Sequence, residues 1–348
     1  MAGHGGVLHG LCDLGPLQRA ENICKMPAGR SIESKLRASM QTTDRSALRD
    51  PPLQPVDERG KPLLRIDPVQ FADKFNKRHF LVEHHLQGHP LFEIPRLLEL
   101  AKEVADKWPD DLYYDRGVTN VGARWEMNTA FPVDEAIHNI ESCGAWIDLK
   151  SAERNPEYAK VLDGCISDLL QVSRGQLKKK MRRTQMAIFI TSPNRLSTYH
   201  IDSECNFLLQ IRGRKEISVF NRYDREVLPE EEIERSWAAD TNAAIYKPEL
   251  QSHADVVTLA PGIGVHIPVN APHWVQNGDN ISVSVAILYH WWNSAYANVY
   301  AANYVLRKKF HITPTPPFRS MMLDAIKQPV GAAFLWVRNL RHGPLRKY

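Results

Sequence analysis

Apolar positions along this chain change rhythm near residue 186. Before it they recur mainly at helical spacing; after it they gather in short runs cut by Gly, Pro and Asn. Asp67-Pro-Val-Gln-Phe71 opens a helix, with an acidic cap and Pro in the first turn. Phe71, Phe75 and Phe80 follow near helical spacing. Leu97, Leu98, Leu100, Ala101, Val104 and Ala105 predict an amphipathic helix that stops at Trp108-Pro109. Short strand and turn are expected over 113–124, and helices over 135–142 and 158–170. The runs at 186–190, 206–211, 214–220, 255–262, 264–268 and 281–289 predict an antiparallel sandwich or barrel. A charged helix at 229–237 interrupts them. Helices resume over 295–309 and 320–340, the second kinked or split at Pro329.

This pattern describes a mainly β core with flanking helices, an α+β chain in four stretches. Residues 1–60 lack periodicity and are expected to be a poorly ordered lead-in or packing arm, apart from a short helix near Arg30–Met40. Residues 61–185 form a helical and mixed region packing on the barrel, and 186–294 form the β core. Residues 295–348 form a C-terminal helical region with a broad apolar face, a candidate dimerisation element.

Composition changes this picture little. Apolar residues make up 43% and charged residues 24% of the 348, the ordinary balance of a globular protein. A net charge of +4 makes no case for nucleic acid. No apolar run approaches the ~20 residues of a membrane span. Residues 1–15 carry Gly and His without a basic-then-apolar leader, so no secretory signal is expected. The cysteines, Cys12, Cys24, Cys143, Cys165 and Cys205, are odd in number and none are paired as CxxC. A disulfide framework or structural zinc is therefore not expected, and a reducing, cytoplasmic setting is. Lys178, Lys179, Lys180, Arg182 and Arg183 form a basic cluster, read as a solvated helix face or turn.

Chemistry concentrates between Ser192 and Phe220. His200-x-Asp202 lies in an apparent strand, where residues two apart share a face. Two histidines and a carboxylate on one face suit non-haem Fe(II), so a second histidine is required. His266 and His273 both stand where they reach a barrel interior, and spacing does not separate them. Arg212-Gly213 reads as a two-residue hairpin loop, pairing Gln210 with Lys215 and Asn206 with Val219. Lys215 then shares a face with Asn206 and the metal ligands, where its ammonium requires an anion, or else it reaches solvent at the hairpin end. Arg195 is available to an acidic substrate or to a surface salt bridge. Trp274, Tyr289, Trp291 and Trp292 are candidates for lining a substrate pocket, with core packing the expected role for most of them.

His200-x-Asp202, Asn206, Gln210-Ile-Arg-Gly213-Arg-Lys215 and Ile267-Pro268 before His273 together resemble the JmjC and cupin-like branch of the Fe(II)/2-oxoglutarate oxygenases. The spacing is similar to that of bacterial cupin-like proteins and of the asparaginyl hydroxylase of the hypoxia-inducible factor. The resemblance spans 186–292 and is fainter over 67–117. It implies a double-stranded β-helix, or jelly roll, and selects His273 over His266 as the third metal ligand. It implies Fe(II) and O2 at His200, Asp202 and His273. It also implies 2-oxoglutarate with Lys215 on its distal carboxylate, Asn206 in the same pocket, and a hydroxyl from Ser197 or Thr198. Where the hypoxia-factor hydroxylase has an Asn on the last strand, this chain offers Ser282 or Ser284.

The implied activity is a dioxygenase, a hydroxylase of a peptide side chain or small molecule. The alternatives are a non-catalytic sensor of small acids and a JmjC-type demethylase. No reader module accompanies the latter, and no membrane or nucleic-acid partner is expected. Pairing of two copies through the C-terminal helices follows from the same resemblance.

Overall fold

In the computed structural model, residues 61–117, 119–124, 132–291 and 294–343 are described. The Arg30–Met40 helix and the lead-in expected over 1–60 lie outside them. Leading the described part are β1 (Leu64–Arg65), α1 (Pro68–Lys74), β2 (Phe80–His84), α2 (Ile94–Lys107), β3 (Leu112–Arg116), α3 (Val133–His138), β4 (Ala145–Leu149) and α4 (Pro156–Val172). Then come β5 (Met181–Thr191), β6 (Leu196–His200), β7 (Cys205–Arg212), β8 (Lys215–Phe220) and α5 (Glu230–Ala238). β9 (Ala254–Leu259), β10 (Ile263–Ile267), β11 (His273–Asn277), β12 (Ser282–Trp291), α6 (Ser294–Phe310) and α7 (Met321–His342) complete the chain.

The strands form two antiparallel sheets. The larger has the order β1-β2-β10-β7-β12-β5-β4-β3 and the smaller β6-β11-β8-β9. From β5 to β12 the chain passes back and forth between them, which is a double-stranded β-helix, as the resemblance implies. The strands of 61–185 extend the larger sheet at both edges, so that region is continuous with the β core.

Alternation along the larger sheet divides the interior in two. Met186, Ile188 and Ile190 of β5 and Val283, Val285 and Ile287 of β12 enter a core shared with Leu97, Leu100, Tyr158 and Leu169 of the helices. The intervening Ala187 and Ala286 face the smaller sheet and pack with Ile217, Val219 and Val275. One face of the larger sheet is thus sealed by helices, and the other is the barrel interior where the site lies.

Three expectations are corrected. The Arg212-Gly213 hairpin does not form: β7 bonds to β10 and β12, whereas β8 bonds to β11 and β9. Gly213 is instead a corner where the chain leaves one sheet for the other. Its φ is +74°, and a Cβ would come within 2.3 Å of the Ile281 carbonyl oxygen. Gly213→Ala is therefore expected to cost roughly 2–4 kcal/mol, read as a lower urea midpoint. Phe80, aligned with the helical phenylalanines in sequence, is on β2, where its ring meets Phe71 edge-on at 6.3 Å. Of the kink or split expected at Pro329, the split is not seen: α7 runs through it.

α7 packs on α6, and a side chain at Gly331 would collide with the Asn298 carbonyl 1.7 Å away. Its other face leaves Met321, Met322, Ile326, Trp336 and Leu340 exposed, the face that the expected pairing of copies concerns. The basic cluster divides between a turn at 178–180 and the exposed start of β5.

Candidate metal centre

His200 ends β6 and His273 begins β11, and the two are directly opposed across an antiparallel pair. Opposed residues share a face, and here that face is the barrel interior. Their rings are 4.2 Å apart. Asp202 lies beyond the end of β6, so strand periodicity does not bring it to the site. Its backbone carbonyl accepts from Asn270 N at 2.8 Å, which ties the turn after β6 to the Pro-bounded loop before β11. Asn270 is held in the left-handed region that Asn tolerates, and its side chain accepts from Trp237 Nε1 at 2.9 Å.

Asp202 Oδ1 is 3.8 Å from His200 Nε2, and Oδ2 is 3.7 Å from His273 Nε2. The three ligand atoms all lie within 4.8 Å of one another, close enough to meet at one ion. The tautomers suit it. His200 Nδ1 donates to the Thr198 carbonyl at 2.7 Å, and His273 Nδ1 to the Ala271 carbonyl at 3.0 Å. A ring that donates through Nδ1 presents the Nε2 lone pair, the arrangement that orients metal-bound histidines. Burial, reinforced by His200, lowers His273 to about 4 and keeps it neutral. A second cluster among the described residues, Asp224, Glu226 and His253, is already joined by its own hydrogen bond, His253 Nδ1 to Asp224 Oδ2 at 2.8 Å.

His266 is excluded as a ligand by its surroundings. Its Nδ1 donates to the Asn206 carbonyl at 3.1 Å, its Nε2 accepts from Asn76 N at 3.0 Å, and its ring stacks on Phe75. Burial lowers it to about 3, so it is a neutral core histidine on the helix side of β10.

The triad opens into a cavity of about 1230 Å³ between the sheets. Lys215, Asn206, Ser197 and Thr198 all line it. Lys215 arrives by a route other than a hairpin: it opposes Asn277 on β11, four residues from His273 and on the same face. That is a span of roughly 13 Å at the rise of a strand, which a lysine side chain and a short dicarboxylate fill together. Lys215 is 5% exposed, and burial alone lowers it to about 7. Asn206 Oδ1 is also buried without a hydrogen-bond partner.

Ser197 and His200 are an odd number of residues apart, yet both face the cavity. A bulge in the β6–β11 pairing between His273 and Val275 restores Ser197 to that side. Ser284, by contrast, is not brought to the cavity. Its hydroxyl donates to Gln210 Oε1 at 2.7 Å, in the closed part of the barrel.

Core packing, the role expected for most of the candidate aromatics, is what Tyr289 and Trp274 have. Tyr289 is fully buried in the helix-side core, and Trp274 packs with Tyr199 and Phe220 on another cluster. The side chains of Trp291 and Trp292 are outside the described part. Trp146, Phe189, Tyr113 and Tyr300 line the cavity instead. None follows from sequence spacing, because their facing depends on which strands become neighbours. Arg195 also lines the cavity, but it is a buried residue paired with Asp115 and with the Gly117 carbonyl, not a surface one.

Fold and site together describe a double-stranded β-helix protein with a candidate two-histidine, one-carboxylate centre. No family model matches the sequence, and no curated protein matches it. Among solved structures the chain is similar to the X-ray structure of Escherichia coli YcfD, with 14% identity over 81% of this chain and 69% of that one, at a TM-score of 0.44. It is similar to the same protein, described as a ribosomal oxygenase, in complex with cobalt and 2-oxoglutarate (15% identity, 78% and 67% covered, TM-score 0.44). It is similar also to the complex with cobalt and succinic acid (15%, 82% and 69%, TM-score 0.42).

Proposed function

We propose that this protein is an Fe(II)- and 2-oxoglutarate-dependent oxygenase, a hydroxylase of a peptide side chain or small molecule. The observation that carries this reading is the pairing of two features in one cavity. One is a triad whose histidines both present Nε2. The other is a buried lysine four strand positions from that triad, on the same face. A lone metal site does not require Lys215; a metal-chelating acid with a second carboxylate does. Asn206 lines the same pocket, where its amide NH2 can donate to a bound acid.

His200, Asp202 and His273 would hold the iron. Lys215 would fix the far carboxylate, with Ser197 or Thr198 supplying a hydroxyl. When bound, iron and 2-oxoglutarate supply the oxidising power for inserting oxygen into a C–H bond while 2-oxoglutarate becomes succinate and carbon dioxide. The protein's share is orientation and exclusion of water. Ile217, Val219 and Val275 close the barrel floor, and the two backbone carbonyls keep both imidazoles aimed.

The test is succinate formation by purified full-length protein given Fe(II), ascorbate and 2-oxoglutarate without added substrate. Slow uncoupled turnover is expected. Absence of both 2-oxoglutarate binding and turnover overturns the reading.

A further inference from the structure

Asp202 is the candidate ligand that no strand positions. β6 ends at His200 and β7 begins at Cys205, so Asp202 sits in the turn between them. A carboxylate carried on a turn is only as well aimed as whatever holds the turn. Here the hold comes from outside the His-x-Asp motif, and it leads to α5, the helix that interrupts the barrel strands.

Two contacts from α5 converge on the centre. Ile201, the residue between the two ligands, is buried in a cluster with Leu228, with Ile233 of α5 and with Tyr300 of α6. Trp237 is four residues on from Ile233 and so on the same face of the helix. It reaches the loop before β11 and donates through Nε1 to Asn270 Oδ1 at 2.9 Å. Its ring stacks on Tyr300, with centroids 5.6 Å apart and planes at 22°.

That loop joins the two halves of the centre. Asn270 N donates to the Asp202 carbonyl, and the next residue, Ala271, supplies the carbonyl that orients the His273 ring. Adjacent residues of one loop therefore aim two of the three candidate ligands. The loop is gripped from a second side as well. Val269 N donates to Asn76 Oδ1 at 3.1 Å, and the same oxygen accepts from Arg222 Nη1 at 3.1 Å. Asn76, Trp237, Val269 and Asn270 all line the cavity, and none is a candidate ligand.

We propose that Trp237 is a positioning residue of the metal centre: by anchoring Asn270 it holds the loop that aims Asp202 and His273, and so sets metal affinity without touching the metal. The proposal rests on the triad being a metal centre and not on the reaction performed there. With Asn270 released, both ligands have to be ordered when the metal arrives, and affinity falls as it does when other outer partners of metal ligands are lost.

The probe is Co(II), titrated into metal-free full-length protein by calorimetry, with urea unfolding of the metal-free forms alongside. Trp237→Phe removes the indole N–H and keeps a ring over Tyr300. Asn270→Gly removes the acceptor, while glycine keeps the left-handed backbone and the N–H to Asp202. Each is expected to weaken Co(II) binding roughly tenfold. The double variant is expected to be no worse than the weaker single, because both changes break the same bond. Trp274→Phe is the control. It removes a like bond, from Nε1 to Gln251 Oε1 at 3.0 Å, beside His273 but on the other face of β11, and is expected to leave Co(II) affinity unchanged. Should Trp237→Phe not fold, Asn270→Gly breaks the same bond from its other end and carries the test. Unchanged affinity in folded Trp237→Phe, a loss of stability with affinity intact, additive losses in the double variant, or an equal loss in Trp274→Phe overturns the proposal. Parent protein that binds no Co(II) removes the metal centre and the proposal with it. Parent protein that binds Co(II) and loses it in Asp202→Ala but not in Trp237→Phe leaves the centre standing without a role for Trp237.

Discussion

Lys215→Met is expected to yield a protein that is more stable and unable to hold 2-oxoglutarate. Burial lowers Lys215 from 10.5 to about 7. Between those values the unfolded chain binds the more protons, so stability rises with pH across that window, and the cost of the charged lysine is greatest below pH 7. Methionine fills the same space without a charge. Roughly 1–4 kcal/mol of stability should be gained at pH 6, as when buried charges are replaced by apolar residues of similar volume. The same logic gives the ligand its pH dependence. A carboxylate brought to Lys215 favours the ammonium, so binding above pH 7 takes up a proton. Affinity for 2-oxoglutarate should fall about tenfold per pH unit above 7, until the pKa of the paired lysine is reached. Calorimetry near pH 8 in two buffers of different ionisation enthalpy measures that proton directly. Zero uptake, or full affinity in Lys215→Met, shows that the lysine serves another purpose.

Asp202→Ala is expected to abolish turnover and to lower metal affinity by roughly 100-fold or more, beyond what loss of an outer-shell partner costs. The two imidazoles remain aimed by the Thr198 and Ala271 carbonyls, but they lose the anion between them. The fold should survive, because the turn is held through the Asp202 backbone carbonyl and not its side chain. Metal titration with circular dichroism as a control decides the matter. Unchanged affinity in a folded variant places the metal elsewhere.

Much of this fold was legible in the sequence, and the reasons for the failures are physical. Runs such as Met186–Ile190 and Ile281–Tyr289 announce strands because one face packs on helices, which demands Val and Ile at alternate positions. The Arg212-Gly213 step was misread because a left-handed glycine serves a sheet-to-sheet corner as well as a hairpin. Lys215 nevertheless reached the expected pocket, since either turn leaves it at the start of a strand with one face inward. His200 and Asp202 were found together, but as a strand end and a turn and not as two positions on a strand. His266 and His273 were inseparable by spacing; what parts them is Phe75, Phe80 and Asn76, which come from a different part of the chain. Trp237 gave no signal at all. In the charged run Glu230–Ala238 it is an ordinary helix residue until the loop before β11 comes to it.

The strand order has a consequence for how the protein is made. Of the pairings between two of the barrel strands β5 to β12, only that of β8 with β9 joins neighbours in sequence; β5, already paired with β4 on one edge, waits for β12 on the other, and β6 waits for β11. Closure of this kind is governed by distant contacts, the slow kind of folding. On the ribosome, His200 and Asp202 emerge long before His273. A growing chain therefore holds only two of the three candidate donors. The three donors meet only as β11 slots between β6 and β8, so a metal that needs all three is taken up only once the barrel is complete.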